Sequence, residues 1–195
     1  LHCWSVPERL VMDAAPSAPE LLESLSALTG RQPPLPEWTQ EGIWLGVQGG
    51  TEAIRNKLGK AREAGVRVAA LWVQDWEGRR VTSFGSQLWW NWQYDESRYP
   101  QLPRLIEDLH GQGIRFLGYL NPFLAVEKEL YREASARGYC VKDAEGRDLL
   151  VTITTFPAAL LDLSNPEAVA WIKRVIRENM IGVGLDGWMA DYGEY

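Results

Sequence analysis

The sequence predicts an α/β chain carrying the first half of a (β/α)8 TIM barrel, and three observations lead to that fold. From residue 42 onward an apolar strand, a polar turn and an amphipathic helix alternate through about four units, the order that builds a parallel sheet covered by helices. One strand, VRVAALWVQ (66–74), is apolar almost without interruption, as a strand buried on both faces must be. Polar residues then recur where strands stop: Gln48, Gln74 with Asp75, Asn121 and Asp191. In a (β/α)8 barrel the C-terminal strand ends are where functional groups gather. The rival architecture, a doubly wound dinucleotide fold, needs a GxGxxG turn after its first strand, and GVQGGTEA does not supply one. A full barrel takes about 250 residues. Residues 41–195 therefore read as the N-terminal half of one, preceded by a lead-in over 1–40.

The elements follow in order. The lead-in holds a helix-like PELLESLSALTG and the Pro-rich RQPPLPEW. GIWLGVQ (42–48) is the first strand, and a GGT turn passes into a helix over 51–64. After the second strand (66–74) a long loop leads to a helix near 103–112. IRFLGYLNP (114–122) is the third strand, with a helix expected through 124–137. AEGRDLLVTITTF (144–156) reads as a hairpin excursion. Asn165 and Pro166 suit an N-cap and first turn, opening a helix that should run to Met180. GLDGWMAD (184–191) is the fourth principal strand.

Composition removes several function classes. The chain has 195 residues, 46% of them hydrophobic, enough for a sizeable core. No apolar run approaches the roughly 20 residues of a membrane helix, and the first residues lack the basic and apolar regions of a signal peptide. A net charge of −6 argues against a nucleic-acid face, which needs clustered Lys and Arg. Cys3 and Cys140 show no metal-ligand spacing, so neither metal nor other cofactor is expected, and reduced thiols point to the cytoplasm. Ten Trp, five of them at positions 72, 76, 89, 90 and 92, form either a thick aromatic core or a platform for sugar rings. The Gln, Asp and Asn residues among them favour the platform.

The histidines are His2 and His110, neither at a strand end, and no GxSxG nucleophile turn occurs. Carboxylates remain. Asp191, closing the fourth strand with Glu194 three residues on, suits a glycosidase, whose transition state is a positively charged, flattened sugar. Asp186, at the start of that strand, is expected to make a structural hydrogen bond.

WMADYGEY (188–195) resembles the nucleophile segment of glycoside hydrolase family 31, in the form typical of its sulfoquinovosidase branch. LTGRQPPLPEW, GVQGGTE, QDWEGRRVTSFG, WWNWQ, YPQLP, YLNPFLA, GYCVKDAEG and DLSNPEA are similar to successive landmarks of the same branch. The resemblance implies a retaining α-glycoside hydrolase with Asp191 as nucleophile, Glu194 beside it orienting nucleophile or sugar, and an acid/base Asp on a later segment. It implies that Gln48, Gln74 and Trp90 help hold a sulfonate, with Trp188 also at the sugar. The position where that branch carries an Arg is Gln87 here. Arg79 and Arg80 lie in the same loop and are expected to be solvated at the surface, and Asp75 is expected to hold sugar hydroxyls. The partner implied is a small carbohydrate; a neutral α-glucoside and a non-catalytic carbohydrate-binding barrel are the alternative readings. Oligomeric state is not legible.

Overall fold

The computed structural model describes residues 9–153 and 155–193. The chain divides into two compact units, Leu1–Pro36 and Glu37–Tyr195. In the first, helix α1 (Ala18–Thr29) starts at Ser17. The Ser17 hydroxyl accepts the Glu20 N–H and donates to the Glu20 carboxylate at 2.7 Å, a cap that satisfies one of the helix's free backbone donors.

The second unit is built on a four-stranded parallel sheet in the order β1 (Ile43–Val47), β2 (Val68–Val73), β5 (Arg115–Leu120) and β9 (Gly187–Ala190). Between β2 and β5 lie an antiparallel hairpin, β3 (Arg79–Thr82) with β4 (Gly85–Leu88), and then helix α3 (Leu102–His110). After β5 come β6 (Phe123–Ala125), helix α4 (Glu129–Ala136), β7 (Leu150–Ile153) and β8 (Phe156–Leu160), with the three strands forming a second sheet in the order β6-β8-β7. Helix α2 (Thr51–Glu63) follows β1, and α5 (Pro166–Ile176) precedes β9. This is the parallel strand–helix order that the sequence predicts.

Side-chain spacing explains how the helices dock. On α3, Leu102, Ile106 and Leu109 are buried, and on α5 Ala168, Trp171, Ile172 and Val175 are buried, the three- and four-residue steps of one helical face. Asn165 caps α5 by accepting the Glu167 N–H at 2.9 Å, with Pro166 at the first position. The helix ends at Ile176 and passes into a π-helical turn, Arg177–Ile181, that buries Met180. At Gly118 in β5 an added Cβ would lie 2.7 Å from Leu185 Cδ2 and 3.3 Å from Trp76 Nε1. The glycine lets that fully buried indole pack close against the sheet without displacing Leu185.

Two expectations are corrected. The helix placed at 124–137 begins only at Glu129, because Phe123–Ala125 are wholly buried and pair with β8. The expected long loop after β2 contains the β3–β4 hairpin. Asp186 behaves as expected, accepting the Phe116 N–H at 2.8 Å and meeting the His110 ring at 2.7 Å and Arg115 at 3.3 Å. It ties α3, β5 and β9 together at the N-terminal end of the sheet. No helix among the described residues is long and apolar enough to cross a membrane.

Candidate active site at the C-terminal strand ends

Parallel pairing carries the ends of all four strands to one edge of the sheet. Leu120 of β5 lies in register with Ala190 of β9, and the Asp191 N–H donates to the Leu120 carbonyl at 3.0 Å. One residue past the pairing, the Asp191 side chain is exposed. Its Oδ2 accepts the Tyr119 hydroxyl at 2.7 Å, and the Asn121 amide donates to that hydroxyl at 3.3 Å. Tyr119 is buried, and its carbonyl accepts the Trp76 indole N–H at 2.9 Å. Burial, and after it the Asp191 carboxylate, push the Tyr119 phenol well above its ordinary range. At neutral pH the phenol is therefore a fixed neutral donor, which orients a carboxylate oxygen without handing it a proton.

At the neighbouring strand ends the Gln48 amide donates to the Gln74 amide oxygen at 2.6 Å, joining β1 and β2 by the two polar positions singled out from the sequence. Asp75, expected to hold sugar hydroxyls, is instead fully buried. Its carboxylate accepts the Tyr99 hydroxyl and the Gly49 N–H, with Arg79 and Arg98 at 3.9 and 4.0 Å. It braces the turn between β1 and α2, where Gly49 and Gly50 adopt φ of 115° and 94°.

The loop after β2 supplies an aromatic wall. Trp90 stacks on Phe123 with centroids 5.4 Å apart and meets Phe156 and Tyr192 edge-on at 5.2 and 5.7 Å. Tyr192 directly follows Asp191, so the wall reaches the strand end that bears the carboxylate. Trp76 and Trp92 belong to the core, fully buried, whereas Trp89 and Trp188 are half-buried.

Gln87 is half-buried, accepts the Thr155 hydroxyl at 3.4 Å, and lies opposite Arg80 in the β3–β4 register. Arg80 overturns the expectation of a solvated surface cation. Its side chain is 7% exposed, 2.9 Å from Glu127, with the guanidinium 3.8 Å above the Phe156 ring and 4.4 Å from that of Trp89. Guanidinium is weakly hydrated and flat, so stacking between aromatic rings with one ion pair suffices to bury it. Its Nε and Nη2 have no hydrogen-bond partner among the described residues.

Glu194, the second expected carboxylate, lies outside the described residues. Cys140 is buried, and burial pushes its thiol up to about 12, which removes it as a nucleophile at neutral pH. Among the described residues no cluster of three His, Cys, Asp or Glu side chains could hold a metal ion. Tyr119 and Arg80 were not expected at the site. Tyr119 reads as one more core aromatic in IRFLGYLNP, and nothing local in RRVTSFG signals a stacked, buried cation.

The profile of the glycosyl hydrolases family 31 TIM-barrel domain matches residues 32–195. Over its whole length the chain is 48% identical to the sulfoquinovosidase of Escherichia coli strain K12 and 42% identical to that of Agrobacterium fabrum, aligning with 29% of each. A solved family 31 sulfoquinovosidase from E. rectale, in complex with an aza-sugar inhibitor, superposes with a TM-score of 0.90 and 46% identity over 94% of this chain and 27% of that one. The chain thus spans less than a third of the length of these relatives.

Proposed function

Because this chain belongs to the TIM-barrel domain of glycosyl hydrolases family 31, we propose that it forms the N-terminal part of a retaining glycosidase barrel acting on α-sulfoquinovosides. The observation that carries the reaction is the exposed Asp191 carboxylate at the end of β9, held at 2.7 Å by the neutral Tyr119 hydroxyl. A carboxylate so placed bonds to the anomeric carbon as the bond to the leaving oxygen breaks, and water, giving its proton to a second carboxylate, later displaces it from that carbon. The leaving oxygen takes its proton from a second carboxyl group about 5–5.5 Å from the first. We assign that group to a segment beyond Tyr195, in keeping with relatives far longer than this chain. Glu194, beside the nucleophile, orients it or the sugar.

The two curated relatives and the solved neighbour, all called sulfoquinovosidases, support a sulfonated substrate. In this reading the Gln48–Gln74 pair, Gln87, Trp90 and Trp188 surround the sugar, and Arg80 provides positive charge on the face that Gln87 shares. The neutral α-glucoside remains the competing substrate, because Gln87 cannot supply the charge-assisted hydrogen bonds of a guanidinium.

The test is made on the full-length protein with an aryl α-sulfoquinovoside and an aryl α-glucoside side by side. The sulfonated substrate should turn over faster. Asp191→Asn should abolish turnover while sugar binding persists, since the amide keeps the shape but is a poor nucleophile. Near-normal turnover by Asp191→Asn removes Asp191 from the mechanism, and a preference for the glucoside overturns the sulfonate reading alone.

A further inference from the structure

Glu77 sits inside the loop that carries the aromatic wall, 3% exposed, and no step assigned to the strand ends uses it. Its Oε2 accepts the Asn91 N–H at 2.6 Å, and the Trp90 backbone lies close enough to favour the ionised carboxyl. The N–H of the residue after Trp90 thus ends on the buried carboxyl. It does so at a turn where Trp90 has a φ of 49°. A left-handed residue turns neighbouring N–H groups to one side of the chain, forming a small concavity that suits an oxygen acceptor. For a tryptophan that backbone conformation is unfavourable unless its surroundings enforce it.

The other side of the turn is fixed as well, since the Trp90 carbonyl accepts the Ala125 N–H at 3.1 Å. From this turn, held on both sides, the Trp90 ring packs against Phe123, Phe156 and Tyr192. Tyr192 has a φ of 54° and directly follows Asp191. The chain of contacts therefore runs from a buried carboxyl, through a strained turn, to the residue beside the candidate nucleophile.

We propose that Glu77 is a positioning residue for sugar binding: its carboxyl clamps the Trp90–Asn91 turn and so sets the Trp90 ring against Tyr192 beside Asp191. The sugar-binding half of this inference rests on the glycosidase reading above; the clamp itself does not. Desolvation by burial, only partly offset by the Asn91 and Trp90 backbone and the charges of Arg80 and Lys128, pushes the Glu77 carboxyl up to about 8. At neutral pH it is mostly protonated, so a glutamine side chain reproduces both its shape and its acceptor oxygen.

Three variants of the full-length protein test the clamp by two readouts, hydrogen exchange at the Trp90 and Asn91 amides and steady-state kinetics on an aryl α-sulfoquinovoside. Glu77→Met fills the space without an acceptor. It should speed exchange at those two amides and raise KM, each by about tenfold for the lost hydrogen bond, with kcat changed less than KM. Glu77→Gln should bring both readouts back to within about threefold of wild type. Glu77→Ala is read in the same way if the Met variant does not fold. Amides that stay protected in Glu77→Met show that there is no clamp. Exposed amides with an unchanged KM show that the clamp does not position Trp90 for sugar. A fall in kcat alone, matching the fraction of folded enzyme, or failure of both acceptor-free variants to fold, leaves a role in folding only and overturns the proposal. If wild type hydrolyses neither aryl glycoside, the glycosidase reading fails, and hydrogen exchange still decides the clamp.

Discussion

Replacing Gln87 by Arg tests how this pocket reads charge. Gln87 stands opposite Arg80 in the antiparallel β3–β4 pair, so the two side chains share a face. A hydrogen bond to a charged group contributes about 1.5–3 kcal/mol and a neutral one about 0.5–1.5. The amide already meets a charged sulfonate, so a cationic donor in its place moves the contact from the lower to the upper end of the charged range, a gain of about 1.4 kcal/mol or tenfold in kcat/KM. Against this stands repulsion from Arg80, about 2 kcal/mol at roughly 8 Å and an effective dielectric constant near 20. Glu127, 2.9 Å from the Arg80 guanidinium, offsets most of it. What remains burdens the empty enzyme and is relieved when an anion lies between the two guanidinium groups. In the full-length protein Gln87→Arg should therefore raise kcat/KM for an aryl α-sulfoquinovoside about tenfold and leave the aryl α-glucoside unchanged or slower. The melting temperature should drop slightly with the residual repulsion, by less than the roughly 2–4 °C per kcal/mol of a 150–250-residue protein. Initial rates on both substrates, measured in parallel, decide the matter. An equal gain on both shows that charge is not what the position reads. If neither rate moves, Arg80 already meets the anion, and Arg80→Met should then cost the sulfonated substrate far more than the glucoside.

Three further outcomes are expected. Gly118→Ala should destabilise the protein by about 1–3 kcal/mol, seen as a lowered denaturation midpoint, because the new methyl group meets Leu185 at 2.7 Å and the buried Trp76 indole at 3.3 Å; an unchanged midpoint would show that the sheet yields there. Glu77 also makes stability depend on pH. Its native value of about 8 lies above the ordinary 4.5, so the native state keeps a proton that the unfolded chain has lost, and stability falls as pH rises from about 4.5 through 8. Glu77→Gln should flatten the melting temperature over that window, and an identical slope in both proteins would refute the assignment. Expressed as residues 1–195 alone, the chain presents β1 and β9 as open edges, with Ile43, Trp44 and Met189 each 45–49% exposed. It should self-associate with rising concentration in sedimentation measurements and hydrolyse neither substrate, whereas a monomer with a sharp, cooperative melt would contradict the half-barrel boundaries.

Much of this protein is legible along the chain, because the physics involved is local. The unbroken apolar run at 66–74 marks a strand covered on both faces, the spacing of Leu102, Ile106 and Leu109 marks a helix face, and Asn165-Pro166 marks a helix start. The stops at Gln48, Gln74, Asn121 and Asp191 mark one edge of the sheet, since parallel strands end at the same side. Segments without such periodicity are read less well. RRVTSFGSQL carries no clean alternation and folds as a hairpin, and the short apolar FLA pairs as a strand where a helix is expected. The residues around the site were decided by folding across long separations. Tyr119 meets Asp191 across 72 positions and Arg80 meets Glu127 across 47. Asp75 loses its solvent only when Tyr99 and the turn at Gly49 close over it. Residue type states what a side chain can donate, accept or ionise. Whether it is solvated, stacked or held at 2.7 Å depends on neighbours that only the packed sheet and its loops bring within reach.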